Sequence, residues 1–143
     1  MDNRKLFEFM HNCIVTASHN AYISHDQKTF ELLRNMDEVF MYFSKNSKEV
    51  MLYDELRVLE KYGYLQKLKY GDRFNLNLKN DGSYKNVFIN HMSIIDFFND
   101  ILEKSLDMYE GKLDFTIEFE TLSRIFRVRL NSQNEEELYT GSL

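Results

Sequence analysis

Proline and tryptophan are absent from this chain, and cysteine and glycine are scarce, with one and five copies among 143 residues. Average proline usage is about 5%, so here every break in secondary structure has to come from Gly, Asn, Asp or Ser. The single cysteine, Cys13, leaves no partner for an internal disulfide. It fits a reducing compartment, and a cytoplasmic location is expected. No apolar run approaches the roughly 20 residues that span a bilayer. The start, MDNRKLFEFMHN, lacks the uninterrupted apolar core of a signal peptide, so no membrane partner is expected. Clustered basic charge is also missing: the net charge is −5 and the pI near 5.4. Coating nucleic acid needs clustered Lys and Arg to neutralise phosphates, so that class of partner is excluded. What the chain does have is apolar bulk, 43% hydrophobic and 15% aromatic, with 12 Phe and 9 Tyr. This suffices for the core of one domain or two small ones, and the aromatic surplus also favours interfaces.

Hydrophobic spacing divides the chain. Over residues 4 to 23, Leu6, Phe9, Met10, Cys13, Ile14, Ala17 and Ala21 recur at intervals of three and four, one apolar stripe on a helix. SHDQKTF interrupts the pattern, with Ser24 and Asp26 as candidate caps. A second stripe, Leu32, Met36, Val39 and Phe43, runs to about residue 45. Two amphipathic helices with a short polar link predict a helical hairpin. Alone, such a hairpin leaves apolar surface wet, so a second copy completing a four-helix bundle is expected. After KNSKE, Leu52, Leu56, Leu59, Tyr62 and Leu65 predict a third helix ending near Gly71. FNLNLK alternates as a half-buried strand, NDGS is a turn, and INHMSIIDFFNDILEKSLDM, 89 to 108, is a helix suited to lie on a sheet. LDFTIEFE and RIFRVRLN alternate as two strands joined through Thr121 to Ser123. The acidic tail SQNEEELYTGSL has no periodicity, and 132–143 is expected to be disordered.

One stretch, ELRVLEKYGYLQKLKYGDRF at 55 to 74, resembles the segment following the dimerisation hairpin in sensor histidine kinases of the autolysin-regulator type. In that family a Glu-Leu start leads to a Tyr, an Ile-Gln-Lys-like triplet and an Arg-Tyr/Phe-Gly-Asp-Arg run. Glu55, Tyr62, Gln66, Lys67, Tyr70, Gly71, Asp72 and Arg73 stand in those places, with Lys69 for the usual arginine. Upstream, Phe9, Met10, Asn12 and Ile14 of FEFMHNCI fall on the last part of the family's Asn-Pro-His-Phe-Leu-Phe/Tyr-Asn-x-Leu motif, and the resemblance covers roughly residues 6 to 131. It implies an α+β protein. A helical hairpin over 1–48 dimerises as a four-helix bundle, and a truncated, degenerate ATPase-like α/β sandwich follows over 49–131.

The departures from the family bear on chemistry. Its phosphoacceptor histidine maps to Glu8, and the preceding Asn-Pro to Leu6 and Phe7. A carboxylate does not form the phosphoramidate through which histidine passes a phosphoryl group onward. In the family's nucleotide-binding helix, Asp100 replaces the Asn that holds magnesium and Asn99 replaces the adjacent Glu; a carboxylate can ligate magnesium, so this change alone leaves a metal open. The Asp-Asn-Gly-x-Gly box maps to Asn131, Ser132 and Gln133, which lack the acidic adenine partner and the glycines. Nothing supplies the exposed backbone amides that cradle phosphate. Loss of ATP and magnesium binding is therefore expected, and no cofactor.

The remaining candidates have plain readings. His11, His19 and His25 are expected to be surface or interfacial side chains, and His91 a helix-terminus residue. Cys13 is expected in the core, and Asp96, Asp100 and Glu103 on a solvated face. His11 and His19 lack the cysteine or carboxylate partners of a metal site, so none is expected. The function expected is that of a non-catalytic, histidine-kinase-like regulator of two-component signalling, not an enzyme. It would act as a homodimer, or by pairing with a sensor histidine kinase or a response regulator. The alternatives are a phosphorelay phosphotransferase using His11, and a fragment or remnant of a longer kinase.

Overall fold

The computed structural model describes residues 2–79 and 86–143; the turn expected at 80–83 lies outside them. The fold is α+β and divides into two compact units, Met1–Asn46 and Ser47–Leu143. The sequence had suggested a division after residue 48.

The first unit is two antiparallel helices, α1 (Asn3–Ile23) and α2 (Gln27–Phe43). Asp2 caps α1 by accepting from the Lys5 amide at 2.8 Å. Asp26 caps α2 by accepting from the Thr29 amide at 3.1 Å and its hydroxyl at 2.7 Å. Each satisfies an amide that the first turn leaves without a partner. Between them the chain reverses through Ser24 and His25, the latter at φ 58°. The face of α1 turned to α2 carries Phe7, His11, Ile14, Ser18 and Ala21, all buried or half-buried. Phe7 meets Phe40 edge-on, with centroids 5.3 Å apart, at the open end of the hairpin. This corrects the single stripe read from the sequence. Leu6, Phe9 and Met10 are 42%, 60% and 41% exposed, and Cys13 is exposed, not core. The helix has apolar residues on two faces, and spacing alone does not tell which face its neighbour takes.

In the second unit, β1 (Glu49–Met51) leads into α3 (Leu52–Tyr70), a 3₁₀ turn Gly71–Arg73, and β2 (Phe74–Lys79). Gly71 ends α3 at φ 62°, a left-handed conformation that glycine adopts without a Cβ penalty. Next come β3 (Phe88–Asn90), α4 (Ser93–Met108), β4 (Leu113–Glu120), β5 (Ile125–Ser132) and β6 (Glu135–Ser142). β1 and β3 form a two-stranded antiparallel sheet; the other sheet is four-stranded in the order β2-β4-β5-β6. β2 runs parallel to β4, as the intervening α4 permits, and β4, β5 and β6 form an antiparallel meander.

The alternation in LDFTIEFE sets which face is covered: Leu113, Phe115, Ile117 and Phe119 are buried and the residues between them are not. The helices lie on that face. Phe98 of α4 meets Phe115 edge-on at 5.1 Å, Phe97 meets Phe126 at 4.9 Å, and Tyr62 of α3 meets Phe98 at 6.3 Å. Each buried aromatic removes apolar surface worth about 2–3 kcal/mol from water. The opposite face is polar, with Lys79–Glu118 at 3.5 Å, Arg129–Glu136 at 2.5 Å and an Arg127–Glu120 pair.

Three further expectations need correction. Ile89 and Asn90 belong to β3, so α4 starts at Ser93 and His91 sits in the turn before it. The short strand β1 was not anticipated. The tail is not disordered: Glu135–Ser142 is β6, paired along its length with β5. The turn before it holds Gln133 and Asn134 at φ 50° and 65°, the conformation of a tight two-residue hairpin. The inward side of β6 carries Glu135, Glu137, Tyr139 and Gly141, which explains why no apolar alternation marked it. Its carboxylates are held instead by hydroxyls. Tyr109 donates to Glu137 at 2.9 Å and Glu135 at 3.2 Å, and Tyr139 donates to Glu137. The bond to Glu137, with burial second, pushes the Tyr109 hydroxyl up to about 12.

Candidate functional site

The hairpin brings together residues that the sequence held far apart. His11 on α1 and Asp37 on α2 are equidistant from Ser24 in the turn, so antiparallel packing sets them opposite each other. Their Nδ1 and Oδ1 atoms are 2.7 Å apart, and the two side chains are 34% and 21% exposed. A carboxylate only accepts, so Nδ1 carries the hydrogen, and whenever the ring is neutral the lone pair is left on Nε2. That is the arrangement of an oriented nucleophile, in which a third group fixes the tautomer.

Around His11 lies a surface cavity of about 500 Å³ whose lining includes Arg4, Glu8, Ser44 and Lys45. Arg4 and Lys45 bring positive charge to its rim. Glu8 lies one turn from His11, is 64% exposed, and pairs with Arg4 at 3.5 Å. An i,i+4 pair this exposed adds at most a few tenths of a kcal/mol. His19 is exposed and lines a second cavity, with Asp37 and Arg34. His25 lies exposed in the interhelical turn, and the His91 amide donates to the Lys48 carbonyl at 2.9 Å. Among the described residues no group of three or more His, Cys, Asp or Glu is arranged to hold a metal ion.

The nucleotide-box positions engage different partners. Asn99 accepts from the Tyr62 hydroxyl and donates to Glu103 at 3.2 Å, while Asp100 is exposed on α4. Asn131 lies on β5 opposite Asp114 and Glu136. It lines a shallow cavity of about 550 Å³ at the hairpin end, together with Ser132 and Gln133 but neither Asn99 nor Asp100. Ser132 donates to the Lys112 carbonyl at 2.7 Å. Strand and tight turn thus occupy the stretch where the resemblance implies a glycine loop.

Sequence reasoning missed Asp37, Arg4 and Lys45. The available signal for Asp37 was hairpin register: once the turn is centred on Ser24, His11 has one opposite neighbour. It also missed what Glu55 and Arg73 do. Arg73 donates to the Gly111 carbonyl at 3.1 Å, to Leu106 at 3.3 Å and to Tyr109, and Glu55 is wholly buried.

Among the described residues no helix is long and apolar enough to cross a membrane. Residues 8–74 match the sequence model of the family described as histidine kinase. Over that stretch the chain is similar to that family. The match begins at Glu8 and ends at Phe74, taking in most of the hairpin, α3 and the segment from Glu55 to Arg73. No curated protein matches the chain.

Proposed function

We propose that this chain is a non-catalytic, histidine-kinase-like regulator of two-component signalling that works through its helical hairpin. Two copies pack as a four-helix bundle, or one copy pairs with a sensor kinase or docks a response regulator. One observation carries the reading: the apolar face of α1, Leu6, Phe9, Met10 and Cys13, lies exposed beside Glu8. A contiguous apolar face on a helix pair is covered in a working assembly, and the carboxylate at Glu8 replaces the phosphoacceptor that the resemblance implies. The second unit then serves as a degenerate ATPase-like scaffold, in which the stretch aligned with the family's glycine box, Asn131 to Gln133, is strand and tight turn among the described residues. Calorimetric titration of the full chain with magnesium-ATP is expected to give no heat of binding, and saturable micromolar binding would overturn the claim. Light scattering is expected to give the mass of a dimer, and a monomer at tens of micromolar refutes the self-pairing arm.

A second reading has its own observation, the His11–Asp37 contact at 2.7 Å. In it the chain is a phosphotransferase whose His11 Nε2 takes a phosphoryl group from the aspartyl phosphate of a response regulator. The acyl P–O bond breaks as the N–P bond forms, and the regulator's carboxylate leaves. Incubation with a phosphorylated response regulator decides: acid-labile label on the chain, lost in His11→Ala, establishes the relay, and absence of transfer leaves binding alone.

A further inference from the structure

The two outer strands of the four-stranded sheet, β2 and β6, are finished differently. β6 carries Glu135 and Glu137 on its inward side, whereas β2 carries Phe74, Leu76 and Leu78 there. β2 pairs with β4 on one side, and among the described residues no backbone group bonds its other side. The apolar layer also stops short at this edge. Phe115 and Ile117 of β4 are 1% and 0% exposed, but Leu76 and Leu78, their register partners on β2, are only half-buried. Beside the two leucines lies a groove of about 480 Å³, closed on its far side by one face of α3, Glu60, Gly63, Tyr64 and Lys67. Gly63 brings the helix backbone against the strand, since a Cβ there would come 2.9 Å from Leu76 Cδ2. The charges of the groove sit at opposite ends. Lys67 donates to the Asn75 side chain at 2.9 Å, at the start of β2, while Glu60 lies one turn beyond Gly63 toward Leu78 and is exposed.

We propose that this groove seats an extended peptide of a partner protein, added to the sheet as a strand antiparallel to β2. The backbone groups on the open side of β2 supply the hydrogen bonds, and side chains two residues apart fall on one face. An apolar side chain beside Leu76 and another beside Leu78 continue the rows that Phe115 and Ile117 begin, and so close the apolar layer at its open edge. Charge sets the ends of the peptide. The Lys67 ammonium has only the exposed Asp72 carboxylate as a counter-ion, at 3.7 Å, and its side chain is 40% exposed. It faces an acidic residue at the end of the peptide that meets Asn75, and Glu60 faces a basic residue at the other end. Read from its N-terminus the peptide is basic, apolar, any residue, apolar, acidic. Five residues in a strand span about 17 Å, and β2 offers six. The same charges exclude a second copy as the occupant. Two β2 strands paired with Leu76 against Leu78 would set Lys79 of each beside Asn75 and Lys67 of the other, like charge on like.

The test uses the full chain labelled with ¹⁵N and the peptide acetyl-Lys-Val-Thr-Val-Glu-amide. Saturable shifts are expected at the amides of Asn75 to Leu78 and of Gly63 and Tyr64, and methylating the peptide nitrogens that face β2 is expected to abolish them. Lys67→Glu is expected to bind this peptide about tenfold more weakly, an exposed attraction turned into a repulsion. The variant should prefer a peptide in which the final Glu is replaced by Lys, the reverse of the unaltered chain. Absence of saturable shifts at about 1 mM peptide, shifts confined to other elements, or equal binding of the methylated peptide overturns the proposal. So does an unchanged preference in Lys67→Glu, or a set of β2 amides that shift on dilution of the chain without peptide, which gives the edge to a second copy. Should the variant not fold, the two peptides and the methylated form decide on the unaltered chain.

Discussion

A methyl group added at Gly141 is expected to damage the second unit, and the geometry sets the size of the effect. An alanine Cβ there would lie 2.4 Å from Cζ of Phe126 and 2.6 Å from its Cε1. The ring has little room to retreat, since Phe126 is 2% exposed and Phe97 packs edge-on against it at 4.9 Å. Overpacking of this kind costs about 1–3 kcal/mol. Replacing glycine in a strand returns about 0.4–1 kcal/mol by restricting the unfolded chain. The net loss for Gly141→Ala is therefore about 1–2 kcal/mol. For a domain of this size that lowers the melting temperature by about 5–15 °C. Gly63 supplies the control. Its added Cβ would come 2.9 Å from Leu76, but the atom met is Cδ2, the far end of a flexible and half-buried side chain. Inside α3, alanine also gains about 1 kcal/mol of helix propensity over glycine, so Gly63→Ala is expected to be neutral or slightly stabilising. Urea titration and calorimetry of both variants make the comparison, with hydrogen exchange reporting whether the loss concentrates in β5 and β6. The packing argument is refuted if Gly141→Ala melts at or above the unaltered chain, or if Gly63→Ala proves the more harmful of the two.

Arg73→Ala is expected to cost about 2–3 kcal/mol in urea unfolding, the loss of charged hydrogen bonds to part-buried carbonyls. Arg73→Lys should recover only part, because an ammonium lacks the planar fork that reaches Leu106, Tyr109 and Gly111 together. The Tyr139 hydroxyl first, and Tyr109 second, hold the Glu137 carboxyl below its usual range. The stabilisation from that group is therefore present above about pH 4.5 and lost as pH falls through its lowered folded value. Hydrogen exchange along β6 is expected to accelerate in acid, and Glu137→Gln should flatten that response. Phe9 is 60% exposed on α1, so Phe9→Glu should weaken self-association while leaving helical content by circular dichroism unchanged; an unaltered mass in solution would remove this face from the interface.

Much of the second unit was legible because its elements announce themselves locally. FNLNLK and LDFTIEFE alternate cleanly, and Gly71 marks the end of α3 by a backbone conformation that few other residues tolerate. The strand β6 was illegible for an equally physical reason. Its inward positions are filled by two glutamates, a tyrosine and a glycine whose partners, Tyr109 and Phe126, come from distant parts of the chain. β1 and β3 are three residues each, too short to show a period. In the candidate site, Glu8 and His11 could be singled out from the family motif. Asp37 could not, since its role arises only when two helices fold back on each other. The apolar residues of α1 were read correctly as apolar, but a helix with two such faces does not announce which one it spends on α2.

The glutamates of β6 have one more consequence, for what the sheet avoids. β6 is one of the two outer strands of the four-stranded sheet, and an outer strand offers unpaired backbone groups as a template for other chains. Charged side chains directed inward at such a strand make it a poor template, since an added strand would have to bury or displace them. Glu135 and Glu137, with Arg129 and Glu136 paired on the opposite face, give this edge that protection. The carboxylates that hid the strand from its own sequence pattern are thus the groups that keep it from recruiting another copy, and acid, by neutralising them, should open the molecule to aggregation along that edge first.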